Sequence, residues 1–89
     1  MTVQHDAANQ RFTTTVDGHA AELAYQLTDG RMVITHTGVP SAIEGRGVAS
    51  GLVRAAFEHA REQHWSVRPA CAYAAAWAER HPEFNQQLG

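Results

Sequence analysis

The chain has 89 residues, enough for one domain with a thin core. A hydrophobic share of 44% and a charged share of 18% exclude a disordered chain, and no apolar run approaches the roughly 20 residues that span a bilayer. The net charge of −2, with every long basic residue an Arg and none a Lys, lacks the footprint of a nucleic-acid binder, and the single Cys71 excludes an internal disulfide.

Residues 1–8 are polar and aperiodic and are expected to form a loose terminus ahead of a single domain over 9–89. Their opening, Met1 to Asp6, has neither the basic nor the apolar region of a secretory signal, so a cytoplasmic protein is expected. Alternation begins at Arg11: Phe12, Thr14 and Val16 share one face, opposite Thr13 and Thr15. Asp17-Gly18 is a hairpin signal, and a second alternating run carries Ala21, Leu23, Tyr25 and Leu27 on one side. Asp29-Gly30 marks the next turn. A third run then places Met32, Ile34 and His36 on one side and Val33, Thr35 and Thr37 on the other. These three strands read as an antiparallel meander.

Pro40 ends the strand pattern and the period changes. Val48, Leu52, Ala56 and Ala60 recur at i,i+4 beside Ala49, Val53 and Phe57, which predicts a helix from about Gly47 to His64. Trp65 to Arg68 is a short strand candidate stopped by Pro69. A second helix is expected from near Cys71 to Arg80, with Tyr73 and Trp77 one turn apart, and a last partial turn holds Phe84 and Leu88. The expectation is an α+β fold: a mixed sheet of about four strands with two main helices, the fourth strand reached by a helical crossover. The six His residues show no i,i+4 pair and no Cys-x-x-Cys partner, so no metal site is expected.

The loop Glu44-Gly45-Arg46-Gly47-Val48-Ala49 stands where strand gives way to helix. Free N–H groups and the positive end of a helix dipole favour an anion there, glycines let it approach, and Arg46 offers a planar cationic fork. Two glycines at a helix start also serve as plain turn residues, so the loop alone leaves both readings open. A P-loop is excluded because the Gly-Lys-Ser/Thr ending is missing.

Four motifs in order carry a resemblance: His36-Thr37-Gly38-Val39-Pro40; Gly45-Arg46-Gly47-Val48-Ala49; Pro69-Ala70-Cys71-Ala72-Tyr73 with Trp77; and His81-Pro82-Glu83-Phe84. Together they cover about residues 9–88, and the chain resembles the GNAT N-acetyltransferase superfamily, most nearly its very small YjdJ-type branch. In that superfamily's pyrophosphate pattern, Gln/Arg-x-x-Gly-x-Gly/Ala, Gly47 and Ala49 hold the last two fixed positions and Glu44 replaces the first. Many relatives of the small branch carry Glu where this chain has Gly38.

The resemblance implies a GNAT-like fold and acetyl-CoA as cosubstrate, contacted by Val39, Glu44, Gly45, Arg46, Gly47, Val48, Ala49 and Tyr73. It implies transfer of acetyl to an unidentified amine, with Cys71 as acetyl acceptor or as proton donor to the leaving CoA thiolate. A thiol at a helix N-terminus suits that role, and a small buried apolar group is its alternative. His36 is the second catalytic candidate, a base with a suitable pKa or a strand-end residue bonded to backbone. A non-catalytic CoA or acyl-CoA-binding module is the other function considered. Outside the resemblance stands a small interaction domain whose glycines are turns. Monomer and homodimer are both compatible with so thin a core, and neither nucleic acid nor membrane is expected as a partner.

Overall fold

A computed structural model describes residues 1–89. Its order is β1 (Gln4–Asp6), β2 (Arg11–Val16), β3 (His19–Thr28), β4 (Arg31–Gly38), α1 (Val48–Gln63), β5 (Ser66–Pro69) and α2 (Ala72–Glu79). Short 3₁₀ turns lie at Ser41–Ile43 and Pro82–Gln87. The strands form one sheet in chain order, antiparallel from β1 to β4 and parallel between β4 and β5. The fold is therefore α+β with a mixed sheet, of five strands rather than four. No helix is long and apolar enough to cross a membrane.

Both Asp-Gly pairs turn the chain as their chemistry requires. Asp17 and Gly18 have φ of 51° and 77°, and Asp29 and Gly30 repeat those values. Positive φ at both central residues is the geometry that matches strand twist in a two-residue hairpin. The turns thereby set the register that pairs Phe12 with Leu23 and Thr14 with Ala21. One face of the sheet is buried through Phe12, Ala21, Leu23, Tyr25, Met32, Ile34 and Val67. Against it lies the predicted stripe of α1, where Val48, Leu52, Val53, Ala56, Phe57 and Ala60 are all buried. Trp77 of α2 and Phe84 beyond it complete the core against Phe57, with ring centroids 5.3 Å away in each case.

Two features depart from the alternation rule. Within the terminus expected to be loose, Gln4–Asp6 pairs with Thr13, Phe12 and Arg11 as the extra strand β1. The tether is aromatic as well as hydrogen-bonded. His5 stacks on Phe12 at 4.3 Å between centroids, sits edge-on to His59 of α1 at 4.3 Å, and bonds the Tyr25 hydroxyl at 2.6 Å. Thr14, the one buried polar residue, donates its hydroxyl hydrogen to the Thr2 carbonyl at 2.7 Å. The second departure is a bulge in β4. Ile34 pairs with Tyr25 and His36 pairs with Ala24, so Thr35 has no partner on β3.

Burial disfavours the imidazolium of His5, and the neighbouring His59 lowers its pKa further, partly offset by Asp6. The native state thus holds this site neutral where the unfolded chain, with a value near 6.5, binds a proton. Stability from this group is complete above about pH 6.5 and declines as the pH falls below it. Thermal melts between pH 7.5 and pH 5 are expected to show that loss, and His5→Phe is expected to flatten the slope whatever its baseline stability. An equally steep slope in the variant would assign the acid sensitivity to other groups.

Candidate functional site

The bulge decides what reaches the space between β4 and β5. Strand β5 follows β4 only from Arg31 to Ile34, where Pro69, which has no N–H to donate, turns the chain away. The N–H groups of Ala70 and Cys71 both donate to the Ile34 carbonyl, at 2.9 and 3.1 Å. Beyond Ile34 the β5-facing edge of β4 is unpaired. A cavity of about 490 Å³ opens there, lined by Thr37, Val39, Ile43, Glu44, Gly45, Gly47, Val48, Ala49, Ser50 and Tyr73. That size suits a small-molecule site.

The head of α1 gives the cavity its polarity. No backbone N–H from Gly45 to Ser50 donates to a protein acceptor; the first bonded amide of the helix is Gly51, to the Gly47 carbonyl at 2.9 Å. Gly45 and Gly47 both have φ of 77°, while Arg46 and Val48 are absent from the positive-φ residues. Alternating handedness turns successive N–H groups toward one side, the concave arrangement that holds an anion. The cap at Gly47 has no side-chain acceptor, so the positive end of the 16-residue helix is left for a ligand to satisfy. A Cβ added at Gly45 or Gly47 would meet nothing within 4 Å, so the approach to these amides is clear.

Of the residues the sequence singled out, Val39, Glu44, Gly45, Gly47, Val48, Ala49 and Tyr73 line this cavity. Arg46 does not. Its guanidinium forms an ion pair with Asp17 in the β2–β3 turn. Cys71 does not line the cavity either; it caps α2, its sulfur accepting from the Ala74 N–H at 3.4 Å and lying 3.6 Å from the hydroxyl of Thr37 in the cavity wall.

His36 is placed differently from expectation. Unbroken alternation would put it with Met32 and Ile34, but the extra residue at Thr35 reverses the parity. His36, paired with Ala24, is exposed on the open face of the sheet, where its ring lies over Gly38. Thr37, paired with buried Leu23, takes the inner face and reaches Cys71. Sequence reading missed Thr37 because a bulge leaves no mark in period or composition. It also missed Ser50, although its place in the first turn of α1 puts it beside the glycine loop. No three His, Cys, Asp or Glu side chains converge as a metal group would require.

A family model described as GCN5-related N-acetyl-transferase matches residues 11–88. The protein NATD1 of Gallus gallus is 32% identical over 83 residues, covering 90% of this chain and 76% of its own length. NATD1 of Homo sapiens is equally identical over the same length, with 74% of it covered. The solution structure of a GCN5-like protein from Staphylococcus aureus aligns with a TM-score of 0.77 at 26% identity, covering 99% of this chain and 87% of the other.

Gly47→Val tests the anion seat. A β-branched residue at φ of 77° is strained by about 1–2 kcal/mol, a loss that thermal melting should register without unfolding the chain. Its side chain would also stand before the free amides, so pyrophosphate affinity measured by calorimetry is expected to drop at least about tenfold. Unchanged affinity would remove the loop from the site.

Proposed function

This chain belongs to the GCN5-related N-acetyltransferase family, and from that premise we propose that it binds acetyl-CoA at the head of α1 and transfers the acetyl group to an amine. The observation that carries the proposal is the run of unpaired amides from Gly45 to Ser50, closing on a cavity that continues along the free edge of β4. The amides suit the pyrophosphate, and the strand edge suits the amide groups of a pantetheine arm, which would extend the sheet by backbone-type hydrogen bonds. Val39, Val48 and Tyr73 supply the apolar wall of that path. Arg46 contributes to phosphate binding by leaving Asp17, an exchange between two exposed partners that costs little.

Cys71 lies behind Thr37 of the cavity wall, its sulfur 3.6 Å from the hydroxyl. In a direct transfer the amine nitrogen bonds to the thioester carbonyl carbon, the carbon–sulfur bond breaks, the departing thiolate takes a proton from Cys71, and the proton released by the nitrogen returns to the Cys71 sulfur. In a two-step transfer the Cys71 sulfur forms the new thioester, free CoA thiol leaves, and the amine then takes the acetyl group from sulfur. The half-buried sulfur, bonded by Ala74 N–H and beside the Thr37 hydroxyl, is oriented for either role. Membership of the YjdJ-type branch and a cytoplasmic setting belong to the same proposal, supported by the four ordered motifs and the free thiol. A CoA-binding module without turnover is the second reading. It is favoured by the position of His36 on the opposite face, which leaves the cavity without an imidazole base.

Titration calorimetry with acetyl-CoA, CoA and analogues lacking phosphates is the test. Saturable binding that weakens as phosphates are removed is expected, and no binding to any of them would overturn the cofactor assignment. Cys71→Ala is expected to keep acetyl-CoA affinity within about threefold while abolishing acetyl transfer to amines, since the thiol acts after binding. Mass spectrometry of the parent incubated with acetyl-CoA separates the routes: acetyl on Cys71 supports the two-step one. Full turnover by Cys71→Ala would assign this residue to packing.

A further inference from the structure

The end of β4 has a second side. Thr37 and Val39 line the first cavity, whereas Gly38 and Pro40, which alternate with them, line another of about 510 Å³. This second cavity is shared with Thr13, Thr15, Ala20 and Glu22 of β2 and β3. The strand end is thus a partition one strand thick, and beyond Ile34 its outer edge is unpaired. Glycine keeps the partition thin: a Cβ on Gly38 would stand 2.8 Å from Nε2 of His36, whose ring lies in that place.

The second cavity offers oxygen acceptors and a single charge. Glu22, its only ionised side chain, pairs with Thr13 on one side and Gly38 on the other. Arg11, which does not line the cavity, donates to one carboxylate oxygen of Glu22 at 3.0 Å. The other carboxylate oxygen has no protein donor. The hydroxyls of Thr13 and Thr15 are unpartnered too, unlike those of Thr14 and Thr37, which are engaged by Thr2 and Cys71. An ammonium group has three N–H donors, a positive charge and no acceptor, so it matches these three oxygens, whereas a carboxylate or phosphate would be repelled by Glu22.

Glu22 stands on β3, one strand in from the free edge of β4, so a nitrogen it holds is not the one that meets the thioester. Strands lie about 4.8 Å apart, which separates the two nitrogens by roughly 5–10 Å. An extended chain advances about 1.2 Å per bond, so about five methylenes span that gap. We propose that the second cavity is the acceptor subsite and that the acceptor is a small aliphatic diamine. Glu22, Thr13 and Thr15 hold one end as ammonium, and Ala20 and Pro40 flank the methylenes. The far nitrogen, as neutral amine, bonds to the thioester carbonyl carbon while the carbon–sulfur bond breaks. Its proton passes to the Cys71 sulfur, whose own proton has gone to CoA. This rests on the reading of the first cavity as an acetyl-CoA site, and it names the class of amine.

The experiment compares the parent with Glu22→Gln, an isosteric change at a half-exposed ion pair. Acetyl-CoA affinity and melting temperature are measured for both and are expected to agree. Transfer is then followed with 1,5-diaminopentane and 1-aminopentane. The parent should show at least about a fivefold higher kcat/KM for the diamine, of which about twofold reflects its two equivalent ends and the rest one half-exposed ion pair. Glu22→Gln should bring the ratio down to about two. A parent ratio of about two, or a ratio unchanged by Glu22→Gln, would overturn the proposal while leaving the acetyl-CoA site in place. Should the parent not turn over, calorimetry of 1,5-diaminopentane on the CoA-loaded proteins decides the subsite: weakening by Glu22→Gln of at least about twofold supports it, and equal affinity overturns it. Failure of the parent to bind acetyl-CoA at all would overturn the cofactor reading, and this proposal with it.

Discussion

One unpaired residue in β4 governs how this small sheet opens onto its cavity. Up to Ile34 the strand has a neighbour on each side, β3 and β5. At Thr35 the ladder with β3 gains a residue, and from His36 onward the edge toward β5 is free. A bulge bends and twists its strand, so β4 swings away from a neighbour that Pro69 has already turned aside. The same extra residue exchanges the faces of His36 and Thr37. A hydroxyl therefore stands beside the Cys71 sulfur, and the imidazole goes to the open side. Cavity, free strand edge and thiol environment all follow from this break in the pairing.

The second constraint lies at the start of α1, and it works through backbone rather than net charge. Glycine at positions 45 and 47 permits the left-handed turns that leave the amides from Gly45 to Ser50 without protein partners. Glu44 lines the cavity and Arg46 is engaged by Asp17, so the ionised side chains near the loop are net negative. Any attraction for an anion there falls to the backbone N–H groups that have no protein partner.

With so few core residues, the packing groups sit close to the site. Trp77, Phe57 and Phe84 form the apolar seam between α1 and the C-terminal segment, and the edge of Trp77 reaches the wall of the cavity through Ser50. At the other end of the sheet, His5, Phe12, Tyr25 and His59 seal β1 against α1. That second cluster leaves the cavity untouched. It provides an edge strand of three residues with a side-chain anchor that its backbone hydrogen bonds alone would not supply.

Much of the fold was legible in the chain because it is encoded between near neighbours. Asp17-Gly18 and Asp29-Gly30 can adopt paired positive φ, the i,i+4 stripe of α1 has one buried side, and Pro69 ends a strand wherever it stands. The four ordered motifs and the family they imply were equally visible, as was most of the cavity lining from Val39 to Ala49. Three things were decided only by the tertiary structure: the pairing of Gln4–Asp6 with β2, the exchange of His36 for Thr37, and the bond from Trp77 to Ser50. Each depends on a partner 5 to 27 residues away in the chain or on a register set by another strand. Periodicity reports which face a residue takes while a strand is regular, and one unpaired residue reverses it without altering composition or period.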